Sequence, residues 1–597
     1  MTIFYTLTPS NPSAHIFTVQ LFIESQNEQG HIITLPTWIP GSYMIREFSK
    51  NIVSMFALRT SDNAPVEIER LDKQTWRIHC AQACMVEYEV YAWDLSVRMA
   101  HLDQNHGYCN GTSVFLAVKG SEHVPHQVEI HPPEDGFCQN WRVATTLRPL
   151  GENPHSFGTF EAIDYDDLID HPIEMGTFTL LEFDSGTVPH KVAITGRFQC
   201  DQDKLIRDLK TICDYEIAFF GSLPKMSTYL FQIMVVGSGY GGLEHRSSTS
   251  LITSRYSLPI NSDDSSDDYI SFLGLCSHEY FHTWNVKQIK PAAFVPFDLS
   301  QEAYTSLLWV FEGWTSYYDD LILLRSALID KSKYLELVGK NITRVYQGSG
   351  LYKQSLAESS LTAWTKFYRQ DENSSNAIVS YYAKGSLAAM ALDFHLRLHS
   401  DITLDTVMKA LWERYGSKGI GVPENGVEEL TMELSALDLR EWFDTVVRGT
   451  GQLPLKESFR SFGIELCSRP STGPNDLGGK PATGLSHCNL GANYKSENGG
   501  IVLTQVFDGG SAQSAGLSAG DILVAFDGIK LSSSNIQKIL SRSSVGDVVQ
   551  IHGFRRDELF TRSMRLQAPL EEVYYLQVMA DMDADMSKKH EEWLCTI

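Results

Sequence analysis

Several things are missing from this 597-residue chain. It has no apolar run near the ~18 residues a membrane-crossing helix needs; Leu307–Phe311 and Leu387–Leu392 are among the longest. The first twenty residues lack the basic segment and apolar stretch of a secretory leader. No basic tract is present, and 49 Lys and Arg against 73 Asp and Glu leave a formal charge of −24. That balance disfavours nucleic acid and anionic membranes as partners. The ten cysteines are scattered, and the nearest pair, Cys80 and Cys84, is not a Cys-x-x-Cys. This pattern fits reduced thiols in a cytoplasmic chain, not a disulfide framework. No internal repeat is visible.

A hydrophobic content of 43% suits a folded globular chain, and the length is that of several domains. Residues 1–190 carry short β-branched and aromatic runs, such as 16–23 and 85–91, separated by turn signals at Pro40-Gly41-Ser42 and Asn110-Gly111. They predict a β-sandwich-like domain. Residues 191–467 turn helical, with three- and four-residue apolar spacing over 269–289, 301–327, 329–347, 379–399 and 403–415. Residues 353–377 are polar and irregular, either surface elaboration or a lid. Residues 468–484 have linker composition, 485–567 form a compact β-rich module, and 568–597 are an acidic, Met-rich tail. The expected fold class is multidomain α+β.

His278-Glu279-Tyr280-Phe281-His282 carries the chemistry. Residues four apart share one helix face, so both imidazoles can reach one zinc ion, while Glu279 stands beside it to take a proton from an attacking water. Catalytic zinc wants a third protein ligand. Glu312 is a single carboxylate within the apolar run Leu308-Trp309-Val310-Phe311-Glu312-Gly313-Trp314. A carboxylate buried there needs a cation or a hydrogen-bonded partner, and a structural ion pair with an Arg or Lys competes with the metal. Two more segments fit peptide hydrolysis. Gly241-Gly242-Leu243-Glu244 follows a predicted strand, and its glycines let backbone approach a ligand. Ser380-Tyr381-Tyr382-Ala383-Lys384-Gly385 opens an apolar helix, where a tyrosine hydroxyl can donate to an oxyanion. Taken singly, these are a glycine-rich turn and a pair of core aromatics.

The stretch from His278 to Pro291, together with Leu35–Tyr43 and Asn110–Ser113, resembles the glycyl aminopeptidases with a carboxy-terminal PDZ domain. These are gluzincins, thermolysin-like zinc peptidases with a glutamate third ligand. The resemblance implies that Glu312, followed by Gly313, is that ligand, and not Glu302. It also implies that Glu244 holds the substrate's ammonium beside Gly241 and Gly242, and that Tyr382 of the Tyr-x-Lys-Gly motif is the catalytic tyrosine. His245 departs from the asparagine of related aminopeptidases. The resemblance further implies one zinc per chain, peptides with a free amino terminus as substrates, and Gly or Ala as first residue. Residues 500–506 and 516–528 are similar to a bacterial-type PDZ domain, whose ligand is a peptide carboxy terminus, with Leu490-Gly491-Ala492 as candidate carboxylate loop. The rival readings are an inactive PDZ scaffold and a zinc endopeptidase without a terminal reader.

Overall fold

The two alternating runs near the amino end become paired strands. Ile16–Ile23 and Cys84–Tyr91 run antiparallel with Phe17 opposite Val90, Val19 opposite Tyr88 and Leu21 opposite Val86. All six side chains are buried, each worth about 1.5–3 kcal/mol of transfer free energy. The intervening residues point away from this core, as a period of two requires. The structure is a computed structural model and describes residues 2–594 apart from 25–26, 135, 484–487, 498 and 570–571. Two units divide the chain: Met1–Ala303 with Trp412–Gly421, and Tyr304–Leu411 with Val422–Ile597.

In the first unit the Ile16–Ile23 pair lies in an eight-stranded sheet, joined by two four-stranded sheets. A five-stranded mixed sheet follows. Its centre is strand β1 (Tyr229–Val236), and its edge is β2 (Tyr240–Glu244), which pairs antiparallel with β3 (Ser248–Ser254). Helix α1 (Asp267–Phe281) begins where the Ser266 side chain accepts the Tyr269 N–H, with Asp267 and Asp268 complementing the helix dipole.

Sequence spacing extends this helix to residue 289, but the regular helix stops at Phe281. Beyond it, His282 Nδ1 reaches the Asn285 carbonyl at 2.6 Å. Lys287 is drawn to Asp170 at 2.9 Å. Trp284 stacks on Phe220, with centroids 4.6 Å apart, and donates its indole N–H to Ser222. These tertiary contacts win over helical spacing.

The second unit is mainly helical. A single turn, Leu308–Phe311, leads through Glu312 and Gly313 into α2 (Thr315–Arg325). Helix α3 (Ala383–His399) is buried without interruption from Ala383 to Phe394. Gly313 and Gly385 let these segments touch backbone to backbone: a Cβ on Gly313 would stand 2.6 Å from the Gly385 Cα. Within 353–377 lie three short helical segments, Leu356–Leu361, Ala363–Phe367 and Ser374–Ala377.

Strand Ile464–Arg469 pairs antiparallel with Val573–Val578, and the sequence between them forms a separate β module. That module has its own core, including Leu503, Leu523, Ile551 and Met564. The linker composition of 468–484 is deceptive where the structure describes it: Arg469 forks onto Asp476 at 2.6 and 3.0 Å. Residues 568–597 hold the second of the paired strands and helix Ala584–Leu594. Trp593 of that helix is fully buried against Phe394, with centroids 4.7 Å apart.

Candidate metal centre and peptidase site

In the first unit, α1 carries His278 in its last turn and His282 at the residue that caps it, with their Nε2 atoms 3.1 Å apart. His282 donates Nδ1–H to the Asn285 carbonyl, so its Nε2 carries a lone pair. Nitrogens facing each other this closely suit a shared cation. Two ligands at ~2.05 Å in tetrahedral geometry would stand roughly 3.3 Å apart. Glu279, on the same turn, is buried. Its carboxylate fills the space where Gly242 of β2 lacks a side chain: a Cβ there would overlap the carboxylate and lie 2.7 Å from Glu279 Cγ. Gly241, by contrast, meets only an ordinary contact with Ile252 at 3.9 Å.

Glu244 ends β2 and is buried. Over it lies Gly41, at φ +91°, and a Cβ on Gly41 would stand 2.5 Å from both Glu244 carboxylate oxygens. The turn Pro40-Gly41-Ser42, a strand separator in the sequence, therefore walls the carboxylate. Gly242's carbonyl accepts from Arg98 at 3.2 Å.

The departure at His245 also finds its place. Its Nδ1 lies 3.2 Å from Asp170 Oδ1, and Asp170 also accepts the Arg246 N–H at 3.0 Å and the Lys287 ammonium at 2.9 Å. Burial alone would raise the Asp170 carboxyl, but Lys287, His245 and Arg246 outweigh it and hold it well below the usual range. Asp170 thus fastens the end of β2 to the segment after α1. No local motif marks it.

In the second unit, Glu312 is buried and lies close enough to Tyr382 to raise the tyrosine's pKa. Burial comes first among the causes, followed by Glu312, and the Tyr382 phenol stays protonated well above its ordinary range. Tyr381 is fully buried while Tyr382 is partly exposed, which separates the two adjacent tyrosines. Tyr368, from the irregular 353–377 stretch, places its hydroxyl 3.4 Å from that of Tyr382. Lys384 is wholly buried and its ammonium has no hydrogen-bond partner among the described residues. Burial pulls its pKa down from 10.5 to about 8.

A family model described as the Peptidase M61 N-terminal domain matches residues 4–177, and one described as M61 glycyl aminopeptidase matches residues 271–388. An aminopeptidase N family protein from Idiomarina loihiensis, known as a crystal structure, is 41% identical. The match covers 99% of this chain and 100% of that one, with a TM-score of 0.95. The chain belongs to the M61 glycyl aminopeptidase family.

This M61 chain is therefore a metallopeptidase, a hydrolase of the aminopeptidase class. A more distant solved structure, an M1 zinc metallopeptidase from Deinococcus radiodurans, is 12% identical with a TM-score of 0.46, covering 76% of this chain and 95% of that one. A comparison with curated proteins found no match. The separate β module is a PDZ domain, matched over residues 488–565.

Within the PDZ domain of this M61 chain, the slot between strand Ala492–Glu497 and helix Ile536–Leu540 is bridged by Gln537, which donates to the Tyr494 hydroxyl at 3.0 Å. The cavity left there is about 40 Å³. The Gly491 N–H of the candidate carboxylate loop is taken by the Asn489 side chain. Among the described residues no helix is long and apolar enough to cross a membrane.

Proposed function

We propose that this M61 chain is a zinc aminopeptidase that removes small first residues, Gly or Ala, from peptides with a free amino terminus. One zinc per chain is held by His278, His282 and Glu312. The observation that carries the metal is the pair of Nε2 atoms 3.1 Å apart, with the His282 tautomer set by Asn285. Zinc, when bound, supplies Lewis acidity at the scissile carbonyl and acidifies water.

The chain's own residues do the rest. Glu279, its carboxylate lodged against Gly242, takes the proton of the attacking water and passes it to the leaving amine. Tyr382, kept protonated by burial, donates to the oxyanion. Glu244 accepts the substrate ammonium, and that contact makes the enzyme read from the amino end. Gly41 closes the space beside it, which supports a small first residue. The outer edge of β2 offers the backbone of Gly241 and Gly242 to an extended substrate. The PDZ domain would take a peptide carboxy terminus, and its bridged slot requires Gln537 to swing aside first. A charge of −24 leaves nucleic acid out.

A panel of Gly-, Ala-, Leu- and Phe-anilides, each free and N-acetylated, tests the reading. Free Gly- and Ala-anilides are expected to be cleaved and their acetylated forms left intact. Equal cleavage of the two forms would remove Glu244 from its role and favour an endopeptidase. Preference for Leu or Phe would remove the small-residue assignment. A purified protein without stoichiometric zinc would favour the inactive scaffold.

A further inference from the structure

A cavity of about 640 Å³ lies in the first unit, and none of the peptidase-site residues lines it. Its volume is that of a small-molecule site. The walls are apolar and aromatic on one side, with Leu35, Ile169, Phe294, Val295, Phe297 and Leu299. Four carboxylates also line it, and each already has a partner. Glu122 accepts the Gly120 N–H at 2.7 Å, and Asp164 accepts the Asp167 N–H at 2.7 Å. Asp166 pairs with Arg246, and Asp298 accepts from Ser300 and Gln301. His123 stands exposed on the rim.

Lys290 is different. Its ammonium lies 5.0 Å over the Phe297 ring, and among the described residues no carboxylate pairs with it. The neighbouring cations do not share its position: Lys287 is bound to Asp170 and Arg246 to Asp166. Burial, then repulsion from Lys287 and Arg246, outweigh the attraction of Asp166 and Asp170 and bring Lys290 down to about 8. Asp166 and Asp170 are engaged by Arg246 and Lys287, so an ammonium that lines a cavity in a half-apolar wall with no ion pair of its own among the described residues can take an anion.

We propose that this cavity is a second binding site, for an organic carboxylate with an apolar or aromatic body, its anionic head on Lys290 and its body against Phe294 and Phe297. A free aromatic acid and the carboxy terminus of a peptide ending in an apolar residue share this chemistry.

Isothermal titration of the zinc-loaded full chain tests the site with two probes, 4-phenylbutyrate and N-acetyl-Ala-Ala-Phe, the peptide being blocked at its amino end. Their primary amides serve as controls. The acids should bind and the amides should not. Lys290→Met should weaken binding roughly tenfold or more, the worth of one charge-assisted contact, and Lys290→Arg should retain it. Tighter binding of the peptide names a chain terminus as the source, and tighter binding of phenylbutyrate names a free acid. Either ordering supports the shared chemistry. Equal binding of acid and amide, or binding unchanged in Lys290→Met because the acids sit at the zinc or on the PDZ domain, overturns it. So does the absence of binding by both acids. Should Lys290→Met fail to fold, Lys290→Gln carries the same comparison.

Discussion

Gly242→Ala separates catalysis from folding in this protein. Gly242 does not adopt a positive φ, so alanine fits its backbone. The added methyl would overlap the Glu279 carboxylate and stand 2.7 Å from Cγ. Ordinary carbon–carbon contact is ~3.5–4.0 Å, so Cγ must retreat by about 0.8 Å or more and the carboxylate swings further. The yielding group is the end of a flexible side chain, and stability should change by less than about 1 kcal/mol. The proton-transfer geometry is far less forgiving, because a misplacement of about 1 Å can remove roughly 10²-fold in rate. The assay is kcat on a Gly-anilide, alongside a thermal melt and a zinc determination. The expected result is a kcat lower by roughly two orders of magnitude, with melting temperature and zinc unchanged. The combination with Glu279→Gln should lose no more than Glu279→Gln alone. Full activity in Gly242→Ala would refute the placement of Glu279 as the base under β2.

Glu279→Gln should keep stoichiometric zinc and lose turnover; loss of the metal in this variant would mean that α1 is misread. Tyr382→Phe should lower kcat by roughly 10²–10³-fold, the worth of one oxyanion donor, with KM nearly unchanged; a rise in KM alone would assign the hydroxyl to substrate binding. Lys384→Met should stabilise the protein at neutral pH. Burial lowers this lysine from 10.5 to about 8, so between those values the unfolded chain binds a proton that the folded chain releases. Stability therefore rises with pH across that window, and below it the buried charge costs roughly 3–4 kcal/mol. The melting-temperature gain over the parent should be present at pH 7 and fade by pH 10; no gain at pH 7 would show that Lys384 is not the burdened charge.

The parts of this protein legible in its sequence are those governed by short-range periodicity. Four-residue spacing places His278 and His282 on one face of α1, and Ser266 with its two aspartates marks the start of that helix. Alternation over 16–23 and 85–91 marks two strands and also their buried faces. What only the tertiary structure decided are contacts between segments far apart in the chain. Gly41 reads as a turn residue, and nothing near it announces that its Cα will stand over Glu244. Asp170 lies in an unremarkable run, yet it ties His245 and Lys287 together and so ends the helix that spacing would have continued. Tyr368 sits in an irregular stretch and reaches Tyr382, and Gly313 meets Gly385 where two helical segments cross. The acidic composition of 568–597 suggests a tail, but Val573–Val578 finds Ile464–Arg469 and Trp593 finds Phe394. The physical reason is the same in each case. Helix and strand periods depend on neighbours a few residues apart, whereas the wall of a pocket depends on which distant segments burial and hydrogen bonding bring together.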